Sequence, residues 1–126
     1  MASRLRSFAW GALGTIMVLV AVAIVAPLYS DYVSRSEADN MLVIAEPLQQ
    51  AVEAHAAASH TLQGSGVGIT MAPEFFDATV QQDGVIVLHN SHAFGQVIVL
   101  QPTLTGSGVT WRCLGGSARD VPPRCR

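Results

Sequence analysis

Two cysteines, Cys113 and Cys125, lie close together near the C-terminus of a chain of 126 residues. In an oxidising compartment an even pair of this kind closes a disulfide, so the reading depends on whether this part of the chain is exported. A loop of about a dozen residues closed in this way removes roughly 3 kcal/mol of unfolded-chain entropy in the polymer account of cross-linking. Zinc held by the same thiols would need two more ligands, for which only His89 and His92 are at hand. With a carboxylate such as Asp77, those two histidines are also the one set able to hold zinc or copper. They flank Asn90-Ser91 at the end of a strand-like run, where exposed loop histidines are the ordinary case. No metal and no cofactor are expected.

Other reactive residue types do not fall into working patterns. His55 and His60 are five apart, so on a helix they do not share a face and make no ligand pair. Ser65, Ser91, Ser107 and Ser117 sit in no Gly-x-Ser-x-Gly elbow, and no acid or base partner is implied by position. Gly64-Ser65-Gly66-Val67-Gly68 has no lysine and follows a helix, which makes it a link and not a phosphate loop. No enzyme is expected. The remaining cluster is cationic: Arg112, Arg119, Arg124 and Arg126 adjoin Trp111 and are opposed locally by Asp120 and the terminal carboxylate. Gathered on one side by the disulfide, they would form a patch for an anionic ligand such as DNA, lipopolysaccharide or lipid headgroups. A solvated loop, or arginines paired with carboxylates elsewhere, is the plainer alternative. Trp111 itself is expected under the sheet and not as a stacking platform.

The elements that must position these residues begin with Phe8 to Ala26, a run with no ionisable residue. At 1.5 Å per residue, roughly 19 helical residues reach about 28 Å, close to the hydrocarbon thickness of a bilayer. A helix apolar on all sides must be buried somewhere, and the rest of this chain is too small to hide it. The run is therefore expected to span a membrane. Arg4 and Arg6 precede it, while Asp31, Glu37 and Asp39 follow, which predicts a cytoplasmic N-terminus and a translocated head. Translocation in turn favours the disulfide. Arg4 and Arg6, the apolar run and Ala21-Val22-Ala23 within it also make a passable signal-peptide pattern, whose cleavage would release a soluble head, although the run continues past that site to Pro27. The chain has no lysine, and a net charge of −2 implies no polyanionic partner by itself.

From Tyr29 to His60 there is no glycine, and helix-forming Ala, Leu, Glu and Gln dominate. Val33, Met41, Ile44, Ala45, Leu48, Ala51, Val52 and Ala56 form an apolar stripe at helical period, while Asp39, Gln49, Gln50 and Glu53 fall off it. Pro27 and Pro47 each remove a backbone donor and crowd the carbonyl four residues earlier, so each is expected to kink the helix. The helix should end between Ser59 and Leu62, ahead of a flexible link at Gln63–Gly68. Four strands then follow. Phe75–Gln81 leads into Asp83-Gly84, a two-residue hairpin signal, and Val85–Leu88 returns as a central strand. Gln96–Gln101 is the third, which Pro102 ends or marks as an edge. Gly106-Ser107-Gly108 turns into the fourth, Val109–Cys113. The fold class is α+β, with the amphipathic half of a long helix covering one face of an antiparallel sheet.

Two separated blocks of this sequence resemble the type IV pilin family. The first runs from Ala26-Pro27-Leu28-Tyr29-Ser30-Asp31-Tyr32-Val33-Ser34-Arg35-Ser36-Glu37 through Leu42 to Val52. The second pairs Gly108-Val109-Thr110-Trp111-Arg112-Cys113 with Pro123-Arg124-Cys125-Arg126. The family's first block reads approximately Pro-x-Tyr-x-Asp-Tyr-x-x-Arg-Ser, and its last joins a Trp-x-Cys strand to a terminal Cys-Arg. The resemblance covers about two thirds of the chain. It implies a ladle-shaped subunit whose N-terminal helices bundle with those of other pilins, a disulfide bounding a surface loop, and roles in adhesion, motility or DNA uptake. The N-terminus departs from the pattern. Counting back from Pro27, the family's processing glycine falls on Leu5, its phenylalanine on Arg6 and its glutamate on Trp10. Prepilin cleavage is therefore not expected, and the usual pairing of that glutamate with a neighbour's terminal amine is lost.

The expected organisation is a cytoplasmic segment at 1–7, a transmembrane helix at 8–28 and a periplasmic or extracellular head at 29–126. Within the head, 29–62 is the amphipathic helix, 63–74 a linker, 75–113 the sheet and 113–126 the closed loop. Its partners would be other pilin subunits, inner-membrane lipid and, through the C-terminal arginines, DNA or an anionic surface. The rival is a membrane-tethered periplasmic binding module that keeps the pilin-like head without polymerising.

Overall fold

The computed structural model describes residues 2–69, 76–90, 96–116 and 121–125. It places one long helix, α1 (Ala2–Ser59), ahead of four strands, β1 (Phe76–Val80), β2 (Ile86–Asn90), β3 (Val97–Thr105) and β4 (Gly108–Leu114), with a short 3-10 turn at Pro123–Cys125. The chain divides into two units, Met1–Val33 and Ser34–Arg126. The second is the α+β arrangement: the helix packs on a sheet whose order is β1-β2-β3-β4, antiparallel throughout.

The stripe that α1 buries is Ala38, Met41, Leu42, Ala45, Leu48, Val52 and Ala56. Its steps of one, three and four residues keep it on one side of the helix. Ile44, expected within the stripe, is 37% exposed, and Ala38 and Leu42 take part instead. The sheet answers with Ile86, Leu88, Ile98 and Leu100, alternate residues of the two central strands. Register aligns them in rows: Ala78, Leu88 and Ile98 in one, and Val80, Ile86, Leu100 and Cys113 in the next. Both prolines of α1 lie inside one uninterrupted helical span. His60 closes that span with a φ of 57°, a left-handed residue in the place where glycine or asparagine is usual.

Several strand boundaries differ from expectation: β2 runs two residues past Leu88, and β4 is one residue longer at each end. β3 does not stop at Pro102; it runs on to Thr105. Beyond Leu100 it pairs with β4 alone. Buried Pro102 therefore occupies a stretch that is locally an edge, where a missing donor is tolerated. The β1–β2 turn is also longer than two residues. Gln81 N–H donates to Val85 O at 2.8 Å and Gly84 N–H to Gln81 O at 3.0 Å. Among the turn residues only Gly84 has a positive φ, 84°. A two-residue type I′ turn needs a positive φ at Asp83 as well, so this is the three-residue form with glycine in the left-handed position.

Residues 63–68, expected to be a flexible link, are packed onto this turn. Gly64 N–H donates to Gln82 O at 2.7 Å, and His55 Nε2 lies 2.9 Å from Gln63 O. Ser65 is buried, its hydroxyl donating to Leu62 O. A Cβ on Gly66 would overlap the Gln81 carbonyl, so only glycine allows so close an approach of the two backbones.

Gly84 joins two constraints in one residue. A Cβ there would lie 3.0 Å from Val52 Cγ1 and 3.3 Å from Pro102 Cγ, on a backbone that side chains rarely adopt. Gly84→Ala should lower the unfolding free energy of the purified, detergent-solubilised chain by about 1–3 kcal/mol in urea titrations, whereas Ser107→Ala, at the exposed β3–β4 turn, should change it little.

Candidate functional site

Within Met1–Val33, every described side chain from Phe8 to Ala26 is exposed. Trp10 is 77%, Met17 75% and Leu19 64% exposed, values typical of charged surface residues and not of tryptophan or leucine. The one hydroxyl in the run, Thr15 Oγ1, donates to Gly11 O at 2.9 Å. A hydroxyl satisfied by its own helix suits an apolar solvent, and the one other side-chain donor of the run, the Trp10 indole, lies near its N-terminal end. The helix is long and apolar enough to cross a membrane, and none of that window is buried in the structure.

In Ser34–Arg126 the polar residues are concentrated where the helix meets the sheet. Asn90, at the end of β2, donates through Nδ2 to Glu37 Oε2 at 2.8 Å and to Gln96 Oε1 at 3.1 Å. Gln96 Nε2 donates to Ser34 O at 3.1 Å, and Asn90 N–H to Gln96 O at 2.9 Å. Asn90 and Gln96 are both buried, so these bonds replace the water that the amides lose. The sequence offered no local signal for this clamp, since its bonds to α1 join residues 53 and 62 apart along the chain.

Along β4 the chain sets up a second polar zone. Trp111 is half-buried against the core, as expected, and its Nε1 donates to Glu53 Oε1 at 2.7 Å. Cys113 and Cys125 form the expected disulfide. It closes the C-terminal loop, which is further tied by Gly115 N–H to Cys125 O at 3.1 Å and by Cys125 N–H to Pro122 O at 2.9 Å. Val121 and Cys125 reach the core, at 0% and 2% exposure. The loop thus completes the cover over the sheet. Between α1, β4 and this loop runs an open groove of about 230 Å³, lined by Leu42, Glu46, Gln49, Leu100, Trp111, Cys113 and Arg124.

The four C-terminal arginines do not gather as one described patch. Arg112 is exposed and alternates with Trp111 and Cys113, so it stands on the sheet face away from α1. Arg124 is on the helix side, its Nη2 3.5 Å from Asp39 Oδ1. The strand pleat and this ion pair separate the two; Arg119 and Arg126 lie outside the described residues. His89 is in β2, opposite Asp77 of β1, with Nδ1 3.9 Å from Oδ2. Both are well exposed, and among the described residues no three His, Cys, Asp or Glu side chains are placed to share a metal ion. His92, Ser91 and Ser117 also lie outside the described residues.

The disulfide should be worth about 3 kcal/mol to the head through its effect on the unfolded chain. Reduction, or the double substitution C113S/C125S, should lower the urea midpoint accordingly, and an unchanged midpoint would show that the loop is held by Val121 and its hydrogen bonds alone. No protein-family model matches this chain, and no curated protein matches it.

Proposed function

We propose that this chain is a membrane-anchored structural subunit of a type IV pilus or a related bacterial filament, with its N-terminus cytoplasmic and its head on the periplasmic side. The observation that carries this reading is the complete exposure of an uninterrupted apolar helical segment from Phe8 to Ala26. Leaving that surface in water would cost on the order of 25 cal/mol for each Å². Lipid or the corresponding helices of sister subunits remove that cost.

Three further features support it. The two sequence blocks that resemble the pilin family fall on the helix and on β4 with the closing loop, the parts joined through the Cys113–Cys125 bond. The segment of α1 in the head also has a second, outward strip: Ser36, Asn40, Val43, Pro47, Gln50 and Ala54 are exposed and uncharged. Asp39, Glu46 and Glu53 stand instead on the flank next to β4 and the C-terminal loop. An uncharged strip with Val43 58% exposed fits contact with another helix better than contact with water. The charge order around the apolar run, Arg4 and Arg6 before it and Asp31 after it, supports the orientation.

The rival, a tethered periplasmic binding module that does not polymerise, draws on Leu5, Arg6 and Trp10, which stand where pilins carry their processing site and glutamate. Intact-mass measurement of the membrane-extracted protein, together with shed-filament fractions, separates the two. A pilus subunit should be found in the filament fraction, and a tethered module only in the membrane.

Val18 lies near the middle of the apolar run. Arginine there should raise the cost of membrane insertion by about 2.5–3.5 kcal/mol. The V18R chain should leave the carbonate-washed membrane pellet that retains the unmodified protein. If the unmodified chain, still carrying residues 8–26, is a soluble monomer without detergent, the membrane reading and the filament reading both fall.

A further inference from the structure

We propose that the groove between α1 and β4 receives Arg112 of a second copy of this chain, making a head-to-tail contact; this rests on the reading of the chain as an assembling subunit. The groove has an apolar floor, Leu42, Leu100 and Trp111, and a polar rim, Glu46, Gln49 and Arg124. Three carboxylates flank it on one side of α1 at seven-residue intervals: Asp39, Glu46 and Glu53. Asp39 is paired with Arg124, and Glu53 accepts the indole N–H. Glu46 is exposed and forms no ion pair among the described residues. A carboxylate beside a tryptophan, over an aliphatic floor, is a setting in which a guanidinium gains both charge-assisted hydrogen bonds and cation–π attraction.

The matching group is on the other face of the same strand. Arg112 is exposed, with no carboxylate paired to it among the described residues. On one side of it the outward face of the sheet is aliphatic, where Val87 pairs with Val99 and Val99 with Leu114; Gln101 stands opposite it, and the Thr103–Thr110 pair is on its other side. An exposed arginine flanked on one side by an aliphatic pair is suited to anchor an interface. Trp111 and Arg112 are consecutive in β4, so they point to opposite sides of the sheet. One head therefore cannot place Arg112 in its own groove. The pairing has to be between copies, and because the two patches differ, it leaves a free groove and a free arginine at the ends and can propagate. Phosphate-bearing ligands are disfavoured in the groove by its carboxylates, and a single exposed arginine is too little for nucleic acid.

The test uses the full-length chain in its membrane. A p-benzoylphenylalanine photocrosslinker at Gln101 reports on the surroundings of Arg112, and a second at Val22 reports on helix-to-helix contact. Irradiation should join Gln101 of one copy to the Leu42–Gln49 or Trp111 region of another, which mixed isotope labelling identifies as intermolecular. R112E and E46R should each reduce that product about tenfold, and the R112E/E46R double exchange should restore it. The intact disulfide and an unchanged circular dichroism spectrum confirm that the variants fold. Adducts that map elsewhere, a yield indifferent to R112E, or a double exchange that restores nothing would each overturn the contact. If Val22 still crosslinks between copies while Gln101 does not, this contact falls and the assembly reading stands; silence at both positions defeats both.

Discussion

Ile86, Leu88, Ile98 and Leu100 leave water only where α1 covers them, and most other positions in the head follow from that contact. Each such side chain contributes about 1.5–3 kcal/mol when fully buried. The helix supplies alanine at Ala38, Ala45 and Ala56 and larger residues at Met41, Leu42, Leu48 and Val52. Small residues let the helix axis approach the sheet while the larger ones fill the space between strands. Gly84 belongs to the same contact, since the β1–β2 turn comes against Val52 where a methyl group would already crowd. The C-terminal loop adds Val121 and Cys125 to a cover that the helix leaves incomplete.

Polar groups around that contact are used in two ways. The buried clamp of Asn90 and Gln96 with Glu37 and the Ser34 carbonyl holds one end of the helix segment to the β2–β3 connection. Its amides are removed from water, so each bond there avoids a penalty of about 1–3 kcal/mol for an unsatisfied group. The Arg124–Asp39 pair is different. Both side chains are more than half exposed, and a pair of that kind contributes little to stability. It pairs one of the three carboxylates beside the groove, while Glu46 has no ion pair among the described residues.

The N-terminal unit obeys other rules. None of the described side chains of Met1–Val33 is buried, and the run from Phe8 has no polar side to turn toward water. Apart from the carbonyl that Pro27 leaves without a helical donor, its backbone can be satisfied within the helix, and its one hydroxyl is satisfied by Gly11 O. Such a surface has low free energy in lipid or among similar helices and high free energy in water. The same 58-residue helix therefore serves two solvents. In one part it presents a single buried stripe, and in the other it presents apolar residues on every side.

The apolar run, the helix end near Ser59, four antiparallel strands with β2 inside the sheet, and a closable cysteine pair were all legible from residue types, because each depends on composition or on a period of a few residues. Which of two neighbouring apolar positions goes inward was not: Ile44 and Leu42 lie on opposite flanks of the stripe, and only the position of the sheet selects Leu42. Pro102 reads locally as a strand end or an edge, and only the sheet decides for the edge, because β2 does not pair with β3 at that level. Asn90 and Gln96, six residues apart, give no sign of a partner until the fold brings them to Glu37 and the Ser34 carbonyl on the helix. The arginines near the C-terminus are close in sequence, but the pleat of β4 and the carboxylate of Asp39 put Arg112 and Arg124 on different sides. Local periodicity decides which residues share a face. The partner that face meets is decided by packing between segments far apart in the chain, where shape and hydrogen-bond satisfaction, not spacing, choose among the alternatives.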